Sequence, residues 1–222
     1  MTPGTITIAH RTFPIARAEI TGTLRVDAED GTNMLQSSGY ELTWDIEVRA
    51  EEFPLTDEAG ELIEMIEPVF SHQSPPVDIR DWRDWSGKEI AYDENNGDDP
   101  GEVPILAIGG GDRLALSTLR IGERRGRNFP FEWFGTCRPA IDEHSGLDPF
   151  RIDGTLAVST LTVIFNEEAG HPAEVAARLL AAHCPMQGLR LRDISKPYES
   201  FTDGSDLLRR LTHATFETDP AA

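Results

Sequence analysis

Six oxygen-bearing side chains crowd into seven residues at Asp93-Glu94-Asn95-Asn96-Gly97-Asp98-Asp99, the ligand type that calcium prefers. The register departs from an EF-hand loop, however. Counted from Asp93, the glycine falls fifth instead of sixth, and Pro104 stands where the bidentate glutamate belongs. A solvated turn is the expectation here, with no resident metal. A second constellation is Asp81-Trp82-Arg83-Asp84-Trp85, which follows Pro75-Pro76. Two indoles with interleaved charges can anchor a protein partner or stack on a sugar, since Trp and Arg are enriched at interface centres. The competing reading is that both indoles pack beneath a loop, with their N–H groups bonded locally.

Arg124, Arg125 and Arg127 form the one dense basic cluster, on an expected turn. Forked guanidinium contacts there could hold a phosphate or an acidic partner, against the commoner outcome of surface pairs with neighbouring acids. The histidines at 10, 72, 144, 171, 183 and 213 include no i, i+4 pair of the kind that holds zinc on a helix. Glu168 and His171 have metal-type spacing, but Gly170 and Pro172 bracket them and favour a loop. Cys137 and Cys184 lack a recognisable oxyanion pocket. Cys184 sits at an expected helix C-terminus, where the dipole raises a thiol pKa. Two thiols in 222 residues read as reduced core side chains. There is no phosphate-binding glycine loop, nucleophile elbow or dinucleotide fingerprint. No catalytic residue and no cofactor is therefore expected, and the chain leans away from enzymes.

Charge narrows the partners. The formal net charge is −19, with 39 acids against 20 bases, which repels nucleic acid. The imbalance is local: residues 51–111 carry 16 acids and 3 bases, whereas 112–222 carry 16 and 13. No stretch reaches the roughly 18 apolar residues of a membrane helix, and the first 22 residues lack the layout of a signal peptide. A soluble cytoplasmic protein is expected, and the arginine-for-lysine habit of the chain suggests a bacterial source.

The elements that must position these residues are mostly strands. Alternation marks Thr5 to Ile8, Ala18 to Val26 and Tyr40 to Val48, the last with Tyr40, Leu42, Trp44, Ile46 and Val48 on one face. Such one-sided strands belong to antiparallel sheets. Leu62 to Phe70 fits a strand or a short helix until Pro68 intervenes. Further strands are expected at Val103 to Ile108, Leu114 to Ile121, Phe129 to Thr136 and Ile152 to Phe165, with turns at 109–112 and 123–128. Pro172, Glu174, Val175, Leu179 and Leu180 predict a helix ending at Cys184-Pro185. Leu189 to Arg192 reads as an edge strand, and Asp203 or Ser205 would cap a last helix carrying Leu207, Leu208 and Leu211. Ile20 to Val26 and Ile152 to Val158 share five of seven residues, a short echo that strands of this composition also produce by chance.

The fold expected is mainly β or α+β: antiparallel, sandwich-like sheets with two C-terminal helices packed on them. Residues 1–222 would form one domain, any internal boundary falling near 93–101 or 142–149. The function expected is an acidic module that docks a basic protein, as an immunity-type inhibitor of a basic toxin would, with Asp81, Trp82, Asp84, Trp85, Asp98 and Asp99 as partner-binding residues. The alternatives are a subunit of a bacterial or phage assembly, which would self-associate, and a small β-rich ligand-binding protein or enzyme. Neither nucleic acid nor membrane is an expected partner.

Overall fold

A computed structural model describes residues 4–26, 40–56, 59–96, 103–108, 111–138, 146–166, 171–196, 198–201 and 208–219. They hold fourteen strands and one α-helix. The chain forms two compact units from interleaved stretches. One comprises Met1–Ile20, Asp45–Asp78 and Trp85–Ala157, and the other Thr21–Trp44, Ile79–Asp84 and Val158–Ala222.

In the first unit the sheet closes on itself. Its ring runs β1 (Thr5–Ile8), β2 (Arg11–Val26), β3 (Tyr40–Ala50), β6 (Val69–Gln73), β8 (Ile105–Ala107), β9 (Gly111–Ile121), β10 (Asn128–Cys137) and β11 (Asp148–Asn166). The ring closes where β1 pairs antiparallel with β2 on one side and with β11 on the other, and β2 and β11 also pair with each other. Eight strands leave an interior that side chains alone fill. Here Ile6, Ile8, Phe70, Trp133, Phe150 and Ile152 fill it, none more than 3% exposed. Phe70 sits edge-on to Trp133 with centroids 5.9 Å apart, and His72 stacks on the same indole. β7 (Glu89–Asp93) pairs with β9 outside the ring path.

A separate two-stranded ribbon, β4 (Phe53–Thr56) and β5 (Leu62–Ile66), leaves this unit between β3 and β6. The stretch that fits both strand and helix thus resolves into two strands, β5 and β6, divided at Glu67-Pro68. Proline supplies no ladder donor and breaks the run.

In the second unit, the end of β11 pairs with β14 (Leu208–Thr218), and β14 also pairs with β12 (Leu189–Ile194) and β13 (Tyr198–Phe201). The helix α1 (Pro172–Ala181) starts on proline as expected, with Val175, Ala176 and Leu180 buried. Cys184 N–H donates to Leu180 O at 2.8 Å as the helix ends. The second expected helix is a correction. Leu208 and Leu211 lie in β14, where Thr212, Ala214, Phe216 and Thr218 are buried alternately. Partners on both edges of this β-branched, alternating stretch outweigh the helical spacing of its leucines. Residues 202–207 lie outside the described residues. Mainly β therefore holds, but with one helix, and with one curled sheet plus the ribbon where paired sandwich sheets were expected. No helix among the described residues is long and apolar enough to cross a membrane.

The two longest strands change face partway. Buried positions in β2 run Phe13, Ile15, then Ile20 and Leu24, and in β11 Phe150, Ile152, Leu156, Val158, then Leu161, Val163, Phe165. Each switch of parity lies close to the point where the strand passes from one unit to the other, as a bulge or bend requires. The echoed glycines serve close approach. A Cβ at Gly22 would stand 2.9 Å from Trp44, and one at Gly154 would stand 3.0 Å from Ile15 and Phe131.

Burial holds the His213 imidazole below its ordinary value, because the charged ring loses hydration in β14. As pH falls below about 6.5, the unfolded chain takes up a proton that the folded chain resists, so stability drops on the acid side. His213→Gln is expected to remove that component. Urea midpoints measured from pH 7.5 to 5 should then fall less in the variant than in the wild type.

Candidate functional site

The tryptophan loop is built from local turns. Asp84 N–H donates to Asp81 O at 2.8 Å. The Asp81 carboxylate accepts from Arg83 backbone N–H at 3.0 Å, from Nε at 2.8 Å and from Nη2 at 2.6 Å. The hydrogen bond to Asp81 strengthens the hold of Arg83 on its proton, against the opposing effect of burial. Arg83 also reaches Gln187 Oε1 at 3.1 Å and lies 5.9 Å over the Trp82 ring. Trp44 Nε1–H donates to Ile79 O at 2.8 Å and fixes the start of the loop. Within the first unit, Gly87 N–H bonds Ile121 O and Arg124 N–H bonds Ser86 Oγ, which tie the stretch after Trp85 to the arginine turn.

Trp82 and Trp85 are both fully buried. They occupy the packing role that competed with the interface role, and their indole faces are closed to a partner in this conformation. Asp81 is half-buried and committed to Arg83, whereas Asp84 is exposed. Asp98 and Asp99 lie outside the described residues. The structure thus brings together the 81–85 residues of the expected site, with only Asp84 openly presented.

The remaining constellations resolve as follows. Asp93 Oδ1 accepts from Asn95 backbone N–H and from Asn95 Nδ2, both at 2.9 Å, closing a tight turn. Arg125 and Asn128 bridge across the arginine turn, with Gly126 at φ 64° and Arg124 and Arg125 exposed. Cys137 and Cys184 are buried free thiols, and burial pushes Cys184 up. His144 lies outside the described residues.

Sequence reasoning missed two features. The first is the β4–β5 ribbon. Leu62 and Ile63 are each 60% exposed and Met65 is 51% exposed. The first four residues of β5 are all exposed, on both of its faces, whereas Phe53 and Leu55 of β4 are half-buried. Its base is pinned: Phe53 stacks on Phe13 at 4.6 Å, and Ile66 is buried. Residues 51–67 carry seven acids and no base. Counting acids over the whole of 51–111 diluted that signal.

The second is a groove of about 740 Å³ on the solvent face of β7, β9, β10 and β11. Cross-strand register builds its walls. Ala91, Thr118, Phe134 and Arg151 form one row and Asp93, Leu116, Thr136 and Pro149 the other. Between the rows lies Gly135, where a Cβ would stand 1.9 Å from Leu116 O. Beside the groove an alternating ion-pair ladder crosses the same strands. Arg120 meets Glu89 at 2.9 Å and Glu132 at 4.0 Å, and Arg151 meets Glu132 and, at 2.8 Å, Asp153. No triple of His, Cys, Asp or Glu among the described residues is arranged to hold a metal.

Compared with known proteins, the chain matches no protein-family model, no curated protein and no solved structure.

Two expected outcomes follow from this geometry. Trp82→Ala and Trp85→Ala should each lower the unfolding free energy by about 3–5 kcal/mol, the cost of emptying a buried aromatic site, measured by urea denaturation without any partner. Gly135→Ala should cost about 3 kcal/mol, because the added methyl meets backbone that cannot swing aside. A loss under about 1 kcal/mol would contradict the close approach of β9 and β10.

Proposed function

We propose that the protein is an acidic interaction module that docks a basic protein through the β4–β5 ribbon and the carboxylates around it. The supporting observation is the ribbon itself. An isolated two-stranded ribbon is marginal in water, yet this one shows large apolar side chains on both faces while its base is fastened. Leu62, Ile63 and Met65 supply desolvatable anchors. Glu51, Glu52, Glu61 and Glu64 add one sign of charge to the same segment, which speeds encounter with a basic face and discriminates against acidic ones, while Glu67 is paired with Arg49 at 3.1 Å. Asp84, Asp98 and Asp99 belong to the same acid-rich stretch of the sequence, residues 51–111. An immunity-type inhibitor of a basic toxin is the particular protein that this chemistry suits.

Assembly by strand addition draws less support. β12 presents Arg190, Leu191, Arg192 and Asp193 to solvent, its pairing with β14 slips between Leu191 and Asp193, and Arg190 is tied to Glu217 at 2.6 Å. A charged, bulged edge of this kind resists pairing with another chain.

The test is capture of partners by the tagged full-length chain at low salt. A basic protein in stoichiometric amount is expected. It should be lost in about 0.5 M salt, lost with Leu62→Ser/Ile63→Ser, and weakened with Glu52→Lys/Glu64→Lys. It should be retained with Glu174→Lys in α1. Retention by both ribbon variants would overturn the reading, as would capture of acidic proteins only.

A further inference from the structure

We infer that the groove across β7, β9, β10 and β11 is a binding site for an organic cation carried on an apolar body. The site is separate from the ribbon and does not rest on its role. The volume of about 740 Å³ suits a small molecule or the side chains of a short peptide. Four strands at about 4.8 Å spacing make the groove roughly 15 Å long. Its walls are apolar over most of that length: Ala91, Leu116, Phe134 and Pro149 line it, and Leu116 is 45% exposed. Thr136 also lines the groove, with its Oγ1 buried and without a hydrogen bond among the described residues.

The polar groups are unequal at the two ends. At the β11 end, Arg151 is held by Asp153 through Nε at 2.8 Å and Nη2 at 3.1 Å, and is paired as well with Glu132. Two carboxylates on one guanidinium leave it no attraction to offer an anionic ligand. At the β7 end, Asp93 has one oxygen fixed by Asn95, and no hydrogen bond reaches the other among the described residues. A carboxylate held in place at the end of an apolar trench recognises an ammonium or guanidinium group. Aromatic Phe134 already carries the Arg120 guanidinium 5.0 Å over its ring, so the ligand cation belongs at the Asp93 end and its apolar body along Leu116, Thr136 and Pro149.

The experiment titrates the full-length protein with phenethylammonium, 2-phenylethanol and 3-phenylpropionate, one shape in three charge states, and follows backbone amide shifts. The cation is expected to bind saturably, with shifts at Ala91, Asp93, Leu116, Thr118 and Thr136, about fivefold tighter than the alcohol and tighter still than the acid, the worth of one partly buried ion pair. Asp93→Asn keeps the turn with Asn95 but should bring the cation to the level of the alcohol. Leu116→Arg, at an exposed position, should block the cation by both size and charge, and Glu64→Gln in the ribbon should change nothing. A parallel titration with acetyl-Phe-Lys-amide separates the sources of the cation. The amine is expected to bind tighter, as a site for a small organic cation requires, and tighter binding of the peptide would overturn that assignment in favour of a partner's side chain. Equal affinity for all three probes, saturable shifts confined elsewhere, or no saturable binding would overturn the inference. So would unchanged cation binding in both Asp93→Asn and Leu116→Arg.

Discussion

The first unit depends on the double pairing of a four-residue strand. β1 bonds to β2 through Thr5↔Pro14 to Ile8↔Arg11, and to β11 through Thr5↔Asp153 to Ile8↔Phe150. β2 and β11 also pair with each other, and along Thr5 to Ile8 it is β1 that satisfies both of their edges, which would otherwise be templates for aggregation. Local geometry makes the insertion tight. A Cβ at Gly4 would lie 2.1 Å from Asp153 O, and Ala9 turns the chain at φ 51° while its N–H bonds Pro149 O at 2.8 Å. A non-glycine residue in that region carries strain, which the paired strands on both sides over-determine. Ile6 and Ile8, essentially unexposed, then seal the interior from this seam.

Closure turns one face of the sheet inward. Ile6, Ile8, Phe70, Trp133, Phe150 and Ile152 are buried there, and the groove described above lies on the outer face. Most of that outer face is neutralised. The ladder from Glu89 through Arg120, Glu132 and Arg151 to Asp153 commits two arginines to three acids, and each such exposed pair contributes little to stability. Its larger effect is to occupy cations that would otherwise offset the acidic surface. The sequence concentrates its acids in residues 51–67, where no base is present, and Arg49 just outside that stretch pairs with Glu67 at 3.1 Å.

Strands were legible where one face is buried, because Tyr40 to Val48 or Phe129 to Thr136 can satisfy only a period of two. The helix at Pro172 was legible for a comparable reason, its first-turn proline and apolar stripe agreeing. β14 was not, since Leu208 and Leu211 also satisfy helical spacing and only pairing with β11 and β12 decides the matter. Trp82 and Trp85 illustrate a different limit. Sequence shows that indoles flanked by charges can pack or can bind, but the choice depends on what covers them, a property of chain segments far away. The groove was illegible for the same reason: Asp93, Leu116, Thr136 and Pro149 are scattered over 57 positions and meet only through the register of four strands.

The ribbon and the groove place opposite demands on binding. The ribbon is held at Phe53 and Ile66 and bare beyond them, so a partner must supply the second layer that the ribbon lacks. Part of the contact energy is then consumed in ordering it. Such a surface suits a large interface whose many contacts can absorb that cost. The groove is lined by residues of β9, β10 and β11, each paired on both sides, and of β7, paired with β9, and its acid is held by Asn95 before any ligand arrives. Preorganisation of that kind permits useful affinity from a small contact area, so the groove can recognise a single cationic group where the ribbon requires a whole protein face.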